Sequence, residues 1–379
     1  MKRNRSGRYW MMVWFVLLWI LPGCWDLEEV DRRAFATTLG VDAGPGRQII
    51  LTVQIPIPQK MLPPGAGGDI SQGKNFSTAT MAGSSVANAF HQLQTKTFRS
   101  LVVQQNKSVI ISEEAARAGV APLTDWLTRN PKAPPQALVF ITNGKTAKDI
   151  LAFASAQMAL PGLEFISAGQ STVKYDRTYF IPVWQFEQKL LYEARDAYAP
   201  LIDVAPKEGN YRITGLAVFN GYHMAGKLDT KEAQCFGILD GLMSTGGMSF
   251  ETPEGQIISL RNVEGRTRIK VAASRGQLPV FEVQSRVAAT LNELSGKETN
   301  LDPPQIRSLE RLIARSLKRR LSAVIRKLQG YNADCIDFGE QFRFQHPGLW
   351  EKTRWKELYP VVPFRITVTV SVRQDGVFR

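Results

Sequence analysis

Histidine and cysteine are scarce in this chain, three of each among 379 residues. His91, His223 and His346 stand apart from one another and from every cysteine. There is no His-Glu-x-x-His, no paired Cys-x-x-Cys and no Asp-x-Asp-x-Asp-Gly loop, so the sequence offers neither a zinc nor a calcium site. Gly247-Met248-Ser249-Phe250-Glu251 lacks the closing glycine of a nucleophile elbow. Gly65-Ala66-Gly67-Gly68 is not followed by Lys-Ser/Thr and no strand leads straight into it, which removes a phosphate loop. Acidic pairs fall in helix caps and in an N-terminal cluster beside arginines, where ion pairing accounts for them. A protein with no enzymatic activity, no metal and no cofactor is expected. Cys235 and Cys335 could bridge in an exported chain, but a large fold with a good core does not need the bond. Two buried free thiols are the expectation. After the N-terminal segment no apolar run approaches the roughly 18 residues of a spanning helix.

That N-terminal segment is distinctive. Lys2, Arg3, Arg5 and Arg8 precede an apolar run from Tyr9 to Leu21, and Leu21-Pro22-Gly23-Cys24-Trp25-Asp26 follows. At about 1.5 Å per helical residue the run spans about 20 Å, short of the roughly 30 Å bilayer core. Basic n-region, short apolar h-region and small residues at a cut site are the grammar of a signal peptide, here residues 1–23. A cysteine directly after Leu-x-Gly looks like a bacterial lipobox, in which the thiol carries diacylglycerol; Pro22 is an unusual occupant of that tetrapeptide. Two long acyl chains anchor stably where one does not, at about 0.8 kcal/mol per buried CH₂. The alternatives are an ordinary signal peptide with an incidental Cys24, or an uncut anchor.

The net charge of +13 falls to +9 once the four bases before Cys24 are removed. For an exported chain the anionic surface at hand is phospholipid, not nucleic acid. The remaining length suggests two or three domains. Three are expected, each α+β with a mixed or antiparallel sheet and packed helices: 24–195, a small β-rich unit at 196–276, and 277–379.

In the first unit, Ala36–Asp42 and Gln48–Ile55 predict a hairpin across an Ala-Gly-Pro-Gly turn. Val86, Ala89, Phe90 and Leu93 predict a helix. Strands follow at 100–112 and 136–142, with helices after Ser112, at 122–129 and at 146–158. A further helix is expected at 183–192, and 199–209 reads as a linker or strand entry. In the second unit, strands at 213–219 and 223–228 flank Asn220-Gly221, a strong hairpin signal. A short helix capped by Thr230 and strands at 257–260 and 267–273 complete it. The third unit holds a long strand at 280–294 and a terminal strand at 363–372, with a turn after 334–339 and a short helix over 348–355. Between the two strands lies a helix opened by Asp302 as N-cap with Pro303 at its first position, and closed at Gly330. Its apolar stripe runs Ile306, Leu309, Ile313, Leu317, Leu321, Val324, Leu328. Its polar face holds Arg307, Arg311, Arg315, Lys318, Arg319, Arg320, Arg326 and Lys327 against one acid, Glu310. Either that face is simply solvated, or Arg307, Arg311, Arg315, Lys318 and Arg319 meet anionic lipid headgroups or an acidic partner.

Taken in order, these features resemble the Ger(x)C family, the C-subunit lipoproteins of nutrient germinant receptors in the inner membrane of bacterial spores. The resemblance is carried by Gly23-Cys24-Trp25-Asp26 and the charged run after it, Ala36–Asp42, the helix at 87–94, Val109–Gly119, Leu127–Pro131 and Ala147–Leu151. It continues through Gly215–Phe219, Gly226-Lys227-Leu228, the long helix, Ala333-Asp334, Phe338-Gly339-Glu340, Pro347, Trp350, Trp355 and Tyr359-Pro360. It is looser at 101–107 and departs at Cys335-Ile336. What it implies is a three-domain, non-enzymatic lipoprotein on the outer face of the inner spore membrane. Its implied partners are the integral membrane A and B subunits, the B subunit being the one that binds amino acids or sugars. Only Cys24, the lipid attachment point, carries over as a site. An extracytoplasmic solute-binding lipoprotein is the alternative; it would need two similar lobes around a cleft. Replacing Cys24 with Ala should abolish acyl labelling and alter the processed N-terminus, as read by metabolic lipid labelling and mass spectrometry.

Overall fold

The computed structural model describes residue 10 and residues 32–61, 74–97, 99–155, 165, 179–243, 245–253, 255–273, 277–295, 301–351 and 353–374. Cys24 and the expected signal peptide lie outside the described residues, apart from Trp10.

Most of the first half builds one eight-stranded mixed sheet. Its strands are β2 (Thr38–Ala43), β3 (Ile49–Pro56), β4 (Phe76–Gly83), β6 (Ser108–Ile111), β7 (Leu138–Thr142), β8 (Tyr198–Ala205), β9 (Asn210–Asn220) and β10 (His223–Asp229), in the spatial order β10-β9-β8-β7-β6-β2-β3-β4. The central neighbours β2, β6, β7 and β8 run parallel, and the flanking pairs are antiparallel. Parallel strands need crossovers and are covered on both faces. Accordingly β6 is buried along its whole length. The crossovers carry α2 (Glu113–Ala118), α3 (Ala121–Arg129), α4 (Ala147–Ala152) and α5 (Val183–Leu191). Ahead of β6, α1 (Val86–Lys96) is capped by Ser85, whose hydroxyl accepts from Asn88 N. Two short parallel strands, β1 (Arg33–Phe35) and β5 (Ser100–Val102), pair beside the main sheet.

A second, four-stranded sheet holds β11 (Gly246–Glu251), β12 (Ile257–Ala272), β13 (Val280–Leu294) and β14 (Phe364–Arg373) in sequence order. The last pair is parallel. Its crossover contains α7 (Pro303–Gly330), α8 (Phe338–Gln345), α9 (Pro347–Trp350) and α10 (Trp355–Leu358). Between the sheets comes α6 (Thr230–Asp240). Gly265 of β12 lets α6 close in: a Cβ there would stand 3.1 Å from the Ile238 backbone. One apolar core runs without a break from Leu39 and Val109 through Phe219 and Phe236 to Val283 and Leu317. A smaller cluster around Phe140, Ile150, Phe165 and Tyr211 covers the other face of the large sheet.

The α+β class holds, and so do the long strand, the capped 28-residue helix and the 220–221 hairpin. The sheets do not follow the expected boundaries at 195/196 and 276/277, however. Strands β8–β10 complete the first sheet, whereas β11 and β12 belong to the second. Of the two readings of 199–209, linker or strand entry, the structure takes the strand: β8 runs through it with Pro200 inside. Ile202 sends its C=O to Asn143 N after β7, so Pro200, two residues back, turns its missing N–H to that same side. There β7 pairs only with Leu201 and Ile202, and the β9 ladder loses nothing.

Smaller differences share local causes. Asp229, not Thr230, caps α6, in a reciprocal capping box with Glu232. The strands expected at 257–260 and 267–273 are one strand with a bulge between Arg261 and Glu264, where Asn262 takes a φ of 48°. The strand expected over 100–112 divides into β5 and β6. The helix expected at 146–158 is described over Ala147–Ala152, and residues 156–158 lie outside the described residues. The expected turn after 334–339 is instead α8. The 348–355 helix is two short ones, α9 and α10. Among the described residues no strand flanks the second half of β12 on its outer side. There Gln345 of α8 accepts from Val271 N at 2.9 Å and donates to Ile269 O at 3.1 Å, closing the edge.

Candidate functional site

Two buried carboxylates join the sheets. Asp196 lies between α5 and β8, Asp334 between α7 and α8, and each is 1% exposed. Their main chains pair, Asp196 N donating to Asp334 O at 2.9 Å. Asp334 N returns a bond to Asp196 Oδ2 at 2.7 Å, and Gly221 N donates to Asp196 Oδ1 at 2.9 Å. Lys356 of α10 sets its Nζ 2.5 Å from both Asp196 oxygens and 2.9 Å from Asn220 Oδ1. The Asp334 carboxylate accepts from Phe338 N at 3.0 Å, Gly339 N at 2.7 Å and Trp355 Nε1 at 2.9 Å. It thereby caps α8 from four residues upstream, which explains a helix where a turn is expected. Gly339 is required there: a Cβ would stand 2.5 Å from Trp355 Nε1 and 2.7 Å from Ala194 O. Burial pushes Asp334 up to about 7, against the pull of the Gly339 and Phe338 amides.

Further ion pairs pack around these two carboxylates. Buried Lys189 donates to Asp337 Oδ1 at 2.6 Å and lies 5.8 Å from the Tyr198 ring centre. Arg195 reaches Glu340 at 3.2 Å, and Glu340 also holds Arg343 at 2.6 Å. Beside them opens a cleft of about 780 Å³ lined by Asp240, Arg268, Lys270, Asp337, Gln341 and Gln345 among others. Burial raises Asp240 to about 7, with Lys189 lowering it and Asp337 raising it further.

The basic helix face stands where the sequence puts it. Leu309, Ile313, Leu317, Leu321, Val324 and Leu328 are buried, and Arg307, Arg311, Arg315, Lys318 and Arg319 are exposed on α7. Three of its other polar groups serve the fold. Arg320 stacks 4.5 Å from the Phe250 ring centre and donates to Ser249 O; Lys327 pairs with Glu232 at 2.6 Å; Glu310 accepts from Val372 N at 2.9 Å. Cys235 and Cys335 are free and buried, Cys335 Sγ lying 3.2 Å from Ala197 O. Burial pushes the Cys235 thiol up to about 12, which keeps it protonated and unreactive. Among the described residues no group of three or more His, Cys, Asp or Glu could hold a metal, and no helix is long and apolar enough to cross a membrane. Asp334 and Trp355 already belong to the sequence pattern given above, but without a role. Asp196 and Lys356 carry no local motif at all, because their partners lie 138 and 160 residues away in sequence.

A mixed eight-stranded sheet tied through buried charge to a four-stranded one, with a cationic helix face exposed beside them, defines an α+β protein of this particular architecture. Residues 26–204 match the family model "Spore germination protein N-terminal domain", and 214–376 match "Spore germination B3/GerAC like, C-terminal". The chain belongs to the GerC-like family of spore germination proteins. Among its relatives, spore germination protein GerQC of Bacillus cereus is 25% identical over 82% of this chain and 85% of that protein. Spore germination protein B3 of Bacillus subtilis (strain 168) is 23% identical over 96% of this chain and 97% of that one. The crystal structure of the GerBC protein shares the fold, with a TM-score of 0.57 and 19% identity, covering 92% of this chain and 99% of that one.

Replacing Lys356 with Met strands the buried Asp196 charge and should lower unfolding stability by about 3–5 kcal/mol in a denaturant titration. Asp240 yields a pH dependence. Its folded value, about 7, lies above the unfolded 3.8, so the native state holds more protons in between. Its contribution to stability is therefore lost as pH rises from about 4 to 7. Asp240→Asn should reduce the fall in melting temperature across that window, the remainder coming from Asp334, which is raised over the same range.

Proposed function

We propose that this chain is the lipid-anchored C subunit of a spore nutrient germinant receptor. It acts without catalysis, by assembling with integral membrane A and B subunits to trigger germination. The observation that carries this reading is the collinear family match through 26–204 and 214–376, joined by relatives that align along nearly their full length. The lipobox-like Leu21–Cys24 supports attachment at Cys24, on the outer face of the inner spore membrane. Seven residues separate Cys24 from Arg32, eight steps of at most about 3.6 Å each. Arg32, where the described fold begins, then lies within about 30 Å of the bilayer surface.

In this reading the exposed row Arg307, Arg311, Arg315, Lys318 and Arg319 meets anionic headgroups. Each such base contributes about 1 kcal/mol near a charged leaflet, decaying within a Debye length. The solute-binding alternative calls for two similar lobes; eight strands in one sheet against four in the other do not favour it.

Deleting the gene should impair germination of the resulting spores towards at least one nutrient in a panel of amino acids and sugars. Normal responses to every nutrient, in a strain lacking paralogous receptors, would refute the assignment. Reversing Arg311, Arg315 and Arg319 to Glu should cut binding to vesicles containing phosphatidylglycerol at least tenfold without lowering the melting temperature.

A further inference from the structure

The second sheet has one side covered and one side open. Gly265, Thr267, Ile269 and Val271 of β12 pair with Val287, Ser285, Val283 and Phe281 of β13, and these turn toward α6 and the core. Thr267 Oγ1 donates to Ile238 O of α6 at 2.6 Å. Side chains alternate along a strand, so the residues between them stand on the opposite side.

The pairing register puts Arg266 directly opposite Arg286, and Arg286 beside Thr369. The next row is Arg268, Gln284 and Thr367; the one after is Lys270, Glu282 and Arg365. All of these are exposed except the half-buried Glu282. Opposed side chains sit about 5 Å apart at Cβ, and like charges so placed destabilise the pair. Five cations therefore share this face with a single acid inside the three rows, and none of the five makes an ion pair among the described residues. A surface with no external partner would gain stability by changing either arginine of the central pair.

We propose that this open face docks an acidic protein surface, with Arg266 and Arg286 together receiving carboxylate. The remaining side chains of the three rows favour protein over lipid. No aromatic or aliphatic group stands among them to enter a bilayer interface, whereas Gln284, Thr367 and Thr369 offer hydrogen bonds between the cations, as polar protein interfaces do. Three strands about 4.8 Å apart, read over rows about 7 Å apart, make a face of only a few hundred Å². That is well below the roughly 800 Å² per side of a stable complex. The contact is weak on its own and acts through the high effective concentration that the Cys24 tether gives, an effect that depends on the proposed anchoring.

The test places a photo-reactive benzoylphenylalanine at Thr369 in the full chain, in spores. An adduct is expected with another protein, through a peptide rich in Asp and Glu, and its yield should fall at least tenfold in an R266E/R286E background. R286E alone should raise the melting temperature of the purified protein by about 1–3 °C, since it turns a like-charge pair into an opposite one. A lipid-only adduct, a cross-linked peptide without acidic excess, or a yield indifferent to R266E/R286E would overturn the proposal. So would a lowered melting temperature for R286E, or no adduct from chain that is still membrane-attached. Because attachment is scored separately, loss of the anchor is distinguished from failure of the docking face.

Discussion

The Asp196–Asp334 contact is the constraint on which the rest of the structure depends. Two carboxylates that water cannot reach are held by main-chain amides, an indole N–H and one ammonium. The donors come from the β9–β10 turn, from α8 and from α10, so neither sheet can move away without leaving charge buried and unpaired. Such pairs contribute little net stability over an apolar replacement, yet cost several kcal/mol when one partner is lost. The arrangement fixes orientation more than it adds strength. Around it pack Phe281, Phe338, Phe342, Trp355, Tyr359 and Phe364, large side chains that supply the burial which the charges do not.

What the sequence made legible was set by range. The long helix was readable from Asp302 to Gly330 because cap, proline, apolar period and terminal glycine are all local, and β13 was readable because its alternation is local too. β8 was obscured by Pro200, whose tolerance depends on where β7 ends. The helix at 338–345 was obscured because its cap is Asp334, four residues ahead of it, whose role shows only once the amides of Phe338 and Gly339 close on it. β4, with only ends well buried and one neighbour, has little apolar signal to read. The expected middle unit failed as a sheet boundary for a related reason: a hairpin signal announces that two strands pair, not which sheet they join.

The candidate surfaces divide in the same way. The cations of α7 are a run on one helix face and could be picked out from spacing alone. Those of the second sheet lie on three strands separated by up to about a hundred residues, and only the register brings Arg266 against Arg286. The two described thiols, by contrast, are buried in the core, and Asp229, Asp302 and Asp334 are engaged as helix caps.

The β8–β9 hairpin has a genetic consequence. The match to the N-terminal family model ends at residue 204 and the C-terminal one begins at 214, which places the seam between them inside that hairpin. Recombination at this seam would hand one descendant a sheet with its newest strand bare along one side, and the other a hairpin with nothing to lie against. Exchange of halves between paralogues is therefore penalised unless both flanking strands match, and the two matched regions are expected to be inherited as one block.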